Sequence, residues 1–176
     1  MVTTLDDTKR LAIGERLADL RAFQNLIISN EQKLLSECTH NDVRERLQSM
    51  LESDQKNLGI VETVIVQYGI QAESNEATKK FLGQFEEMMS GGGLSFYQKL
   101  MQHELLKHGQ AMSGIMIHKA AQVVGADIEV AIAPLNTVNF ENRAHQEQLK
   151  GMLEQVGVRE MTGKDADQGL WARVQD

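Results

Sequence analysis

Eight polar side chains lie on or beside apolar stripes of this 176-residue chain: Gln24, Glu31, Asp54, Asn57, Glu104, His108, Asn142 and His145. A polar group turned toward a core must be hydrogen-bonded, bound to a metal, or left there at a cost in free energy. Two chemistries are open to such a set. Carboxylates and imidazoles can ligate a cation, or they can pair with one another and fix the register of the helices that carry them.

The stripes themselves are helical. Ile13, Leu17, Leu20, Ile27, Leu34 and Cys38 recur at three- and four-residue steps over residues 8–38, with Asp6 or Thr8 available as the cap. The break at Thr39 and His40 is short, and Asn41 is the expected cap of a second helix carrying Val43, Leu47, Met50, Leu51, Leu58, Val61 and Ile65 and closed by Gly69. So short a break makes these two helices antiparallel neighbours. Residues 71–93 read as a connector holding a short helix, with Ser74 as its cap and Gly91, Gly92 and Gly93 after it. A third long helix is expected over residues 94–124 with its stripe on Tyr97, Leu100, Met101, Leu105, Met112, Ile115 and Met116. After Gly125 the pattern resumes, is interrupted at Pro134, and continues through Val138, Leu149, Met152, Leu153 and Val156 to Gly157. The segment 51–69 and the segment 138–157 each end on an apolar stripe and a glycine, a weak repeat of helix hairpins. Residues 1–157 thus form one bundle, and residues 158–176 a polar tail except around Leu170 and Trp171.

Folding each hairpin at its turn sets Gln24 level with Asn57, Ile27 with Asp54, Glu104 with His145 or Gln146, and His108 with Asn142. In this the chain resembles the ferritin-like di-metal carboxylate proteins over about residues 8–157. The resemblance implies an all-α four-helix bundle of two antiparallel hairpins joined by a crossover containing a short helix. It also implies a Glu on each of two helices and Glu-x-x-His on the other two. Glu104 matches one lone Glu and His145 one motif histidine. Gln24 stands where the second Glu is expected, Asp54-x-x-Asn57 replaces one Glu-x-x-His and Asn142-x-x-His145 the other, so a full di-metal enzyme is not expected.

The reduced set Asp54, Glu104, His108 and His145 then suits a single Fe, Mn or Zn ion. The competing reading holds no metal and makes the cluster a hydrogen-bonded network that fixes helix register. A hemerythrin-like site does not fit, because His103 and His108 are five apart and His40 and His118 are isolated. Gly91 to Gly93 lacks the lysine of a phosphate-binding loop, no serine is bracketed as a nucleophile, and the nine Met residues read as core filler.

A net charge of −7 and a pI near 5.3 argue against nucleic acid as a partner. The single cysteine, Cys38, allows no internal disulfide and fits a reducing compartment. With no signal-like start and no run long enough to span a membrane, the expectation is a cytoplasmic protein. The expected function is a metal-binding or stress-associated bundle with a reduced or vestigial centre. The alternative is a non-catalytic association module that pairs with a copy of itself or another protein.

Overall fold

A computed structural model describes residues 7–167 and 169, which form six helices and no strand. They are α1 (Asp7–Glu37), α2 (Asn41–Tyr68), α3 (Glu76–Ser90), α4 (Phe96–Val124), α5 (Ala126–Ile132) and α6 (Leu135–Thr162). The protein is all-helical, as its apolar periodicity predicts.

Element ends follow local chemistry, with some corrections. The cap of α2 is His40 in extended conformation, and Asn41 is the first helical residue. Gly69 closes α2 with a left-handed φ of 77°, which favours glycine. Asn75, not Ser74, caps α3, accepting a 2.9 Å hydrogen bond from the Thr78 amide. Ser95 opens α4 with a capping box closed by Gln98. Pro134 sits immediately before α6, where its missing N–H is harmless, so it separates two helices rather than kinking one. Thr8 lies inside α1, while Asp6, the other candidate cap, and the Leu170–Trp171 pair lie outside the described residues. Helix α6 runs past Gly157 to Thr162, because that glycine is a packing position: a Cβ there would come within 2.7 Å of the Tyr97 ring.

The Asn75 cap also accounts for how α3 is tethered. Its side-chain amide donates to Asp19 on α1 at 3.0 Å, and its backbone N–H donates to the same carboxylate at 3.3 Å. Asn75→Ala is expected to lower stability by about 1 kcal/mol from the lost cap alone, measured by urea unfolding.

Helices α1, α2, α4 and α6 each pack on two of the others, α1 against α2 and α4, and α6 against α4 and α2. Side-chain bonds give their directions. Lys99 meets Glu37 and Gln110 meets Gln24, so α4 runs antiparallel to α1. Asp42 meets Gln155 and Ser53 meets Glu141, so α6 runs antiparallel to α2. Helix α3 returns along α1 between the two hairpins.

The core is divided. One apolar cluster holds Ile27, Leu34, Leu47, Met50, Leu100, Leu149 and Met152; the other holds Leu17, Leu20, Val61, Val64, Ile117, Leu135 and Val138. Between them lies a polar layer including Gln24, Asp54, Asn57, Lys107, Gln110, Asn142 and His145, all buried. No helix of the described residues is long and apolar enough to cross a membrane.

Candidate functional site

The polar layer is centred on Lys107. Its ammonium bonds the Asp54 carboxylate and lies 2.9 Å from Nδ1 of His145 and 3.2 Å from Oε1 of Glu31. The same Glu31 oxygen lies 3.2 Å from Nε2 of His103. Gln24 Nε2 donates to both the side chain and the carbonyl of Asp54, at 2.9 and 3.0 Å, and Gln110 Nε2 donates to Gln24 Oε1 at 2.9 Å. Asp54, Lys107, Glu31 and His103 are fully buried, and His145 is 6% exposed.

Burial sets the charge state of this centre. It raises the Glu31 carboxyl well above its usual range, and the Lys107 charge does not overcome that effect. Burial opposes ionisation of Asp54 too, but there the His145 hydrogen bond and the Lys107 charge prevail and hold the carboxyl far below its ordinary value. His103 is lowered to about 3 by burial, reinforced by the Lys107 cation. One cation therefore balances one anion, with Glu31 and His103 neutral beside them.

A cation bound by carboxylates and facing an imidazole is the arrangement expected of a metal, and a lysine supplies that cation covalently. Of the four expected ligands, Asp54 and His145 meet in this centre, with 3.4 Å between Asp54 Oδ2 and His145 Nδ1. Glu104 and His108 lie apart from them, on the outer side of α4, where Gln146 joins the two. No group of three or more His, Cys, Asp or Glu among the described residues is disposed to hold a metal ion. Reading α4 one residue out of phase selected Glu104 and His108 and passed over His103, Lys107 and Gln110. The misleading signal was Leu105, Met112 and Met116, which are exposed at 55%, 46% and 64%. The inward face instead carries small residues, Ala111, Gly114 and Ala121, where helices approach closely; a Cβ on Gly114 would overlap the Asn139 side chain.

An open groove of about 600 Å³ lies between α4 and α6, lined among others by Tyr97, Glu104, His108, Arg143, Glu147 and Lys150. Gln146 Nε2 donates to Glu104 Oε1 at 3.0 Å and contacts His108 Nδ1 at 2.9 Å. The carboxylate fixes which way the amide points, since the reversed amide would set two oxygens against each other. Its second N–H then makes His108 Nδ1 an acceptor, so the neutral ring carries its proton on Nε2. An imidazole held this way, in a groove that Arg143 also lines, can hand an anion a hydrogen bond.

No protein-family model matches the chain. No solved structure matches it. The chain is 61% identical, over all 176 residues, to a DNA nickase of Nostoc sp. (strain PCC 7120 / SAG 25.82 / UTEX 2576), and spans about half the length of that protein. This similarity overturns the expected metal-binding or stress-associated bundle and its association-module alternative, and with them the exclusion of nucleic acid. The iron and metal-binding reading also lacks a suitable ligand cluster among the described residues. A whole-chain sum of −7 does not exclude nucleic acid, because it averages over the surface, whereas phosphate contact depends on the few cations at one place.

Proposed function

We propose that this chain acts on the DNA backbone and takes part in cutting one strand of a duplex. The observation that carries the reading is 61% identity, along the whole chain, to a protein named as a DNA nickase. Burial and exposure support one place for such contact. Asp54, Lys107 and Glu31 are sealed and close their own charge balance, so they serve the fold. The α4–α6 groove is open and offers His108 and Arg143. The order of two antiparallel hairpins joined through α3 supports a ferritin-like arrangement put to a different use. A second reading rests on the half-length match: this chain holds DNA while chemistry resides in another part of such a protein.

The test is incubation of purified protein with supercoiled plasmid, with magnesium or a chelator, followed on agarose gels beside a filter-binding assay. Accumulating open-circular plasmid supports strand cutting by this chain. Binding without relaxation favours the second reading, and neither binding nor relaxation overturns both.

A further inference from the structure

Arg143 and His108 are exposed on one groove. Gln146, whose amide meets the His108 ring, lies three residues from Arg143 along α6, less than one helical turn. The Arg143 guanidinium and His108 Nε2 have no partner among the described residues. By contrast Lys150, in the same groove, is 3.9 Å from Glu154, and Glu104 is engaged by Gln146. Two donors lining one groove are therefore left unused, one of them held in its donating tautomer by a glutamine that a carboxylate orients. Such a pair is complementary to a tetrahedral oxyanion.

We infer that the α4–α6 groove is a binding site for a single phosphodiester, with Arg143 and His108 Nε2–H donating to its two free oxygens and Gln146 and Glu104 positioning the imidazole. This rests on the proposed action on DNA and assigns that action a place. The carboxylates of Glu104 and Glu147 decide which phosphate fits. With Glu154, which also lines the groove, they repel a dianion about twice as strongly as a monoanion, which favours the singly charged linkage of a nucleic-acid backbone over the dianion of free phosphate. One contact of this kind supplies part of the affinity and sets the register of the strand against the imidazole.

The experiment measures fluorescence anisotropy of a labelled DNA duplex at several salt concentrations, using wild type, Arg143→Gln, His108→Phe, Gln146→Leu and, as a surface control, Lys119→Gln. Each of the five is first shown to have wild-type circular dichroism. Arg143→Gln is expected to weaken binding by about tenfold and to reduce the salt slope by about one. His108→Phe is expected to weaken binding with a smaller change in slope. Gln146→Leu should release the ring, so that 15N spectra show the neutral Nδ1–H and Nε2–H tautomers of His108 in exchange in place of Nε2–H alone. Lys119→Gln should bind as wild type, and inorganic phosphate should compete poorly at matched ionic strength. Wild-type binding unaltered in Arg143→Gln and His108→Phe would overturn this site while leaving action on DNA intact. Displacement by inorganic phosphate as readily as by DNA would instead mark a general anion site and overturn the phosphodiester assignment. Absence of binding by wild type would remove the DNA reading itself.

Discussion

Lys107→Met is expected to destabilise the protein by about 3–5 kcal/mol, because it leaves the Asp54 carboxylate buried without its cation. Methionine matches the length of the lysine stem, so the loss reflects charge rather than a cavity. Asp54 is 0% exposed and its carboxylate is held ionised by the His145 hydrogen bond together with the Lys107 charge; without that charge it is driven to take up a proton or draw water into the bundle. Two further consequences follow from the pairing. Asp54→Leu alone should cost a similar amount by stranding the ammonium, whereas Lys107→Met combined with Asp54→Leu should recover most of the loss, since replacing both members of a buried pair by apolar groups is close to neutral. Gln24 would retain its 3.0 Å bond to the backbone carbonyl of residue 54 in the double variant. Urea unfolding of the four proteins completes the cycle. Additive losses in the double variant would show that the two side chains act independently.

Acid should unfold the protein well before its surface carboxylates alone would demand it. His103 is fully buried and lowered to about 3, against an ordinary value of 6.5. Its burial as a neutral ring therefore contributes stability that is complete above pH 6.5 and is lost as pH falls toward 3, in total on the order of 4 kcal/mol. Glu31 has the opposite sign. Its carboxyl is raised from an ordinary 4.5, so its contribution is complete below that pH and is lost as pH rises through the folded value. His103→Gln should consequently flatten the fall in stability between pH 6.5 and 3, and Glu31→Gln should gain stability relative to wild type toward alkaline pH. Thermal unfolding across pH 3–9 checks both; parallel curves for wild type and His103→Gln would remove His103 from the explanation.

The all-helical organisation was legible because apolar periodicity, short breaks and glycine or proline punctuation agreed with one another. Residues of α1 and α2 were placed inward correctly for the same reason: Leu17, Leu20, Ile27 and Leu34, and Val43, Leu47, Met50 and Val61, are all buried, and the polar residues in register with them, Gln24, Glu31, Asp54 and Asn57, are buried as well. Helix α4 defeated the same reasoning. Leu105, Met112 and Met116 face outward, while its inward face mixes Lys99, His103, Lys107 and Gln110 with Leu100, Leu106, Ile117, alanine and glycine. A lysine is ordinarily counted as a solvent residue, so nothing in its spacing marked Lys107 as the centre of a buried network. What could have marked it is charge balance, since Asp54 on an inward face requires a cation beside it to stay ionised.

The most direct test of action on DNA through the open groove is the relaxation of supercoiled plasmid by wild type beside the folded Lys107→Met/Asp54→Leu variant and Arg143→Gln. The expected result is open-circular product at equal rates from wild type and the double variant, with slower relaxation by Arg143→Gln. No product from wild type, or loss of product in the folded double variant with Arg143→Gln unaffected, would contradict it.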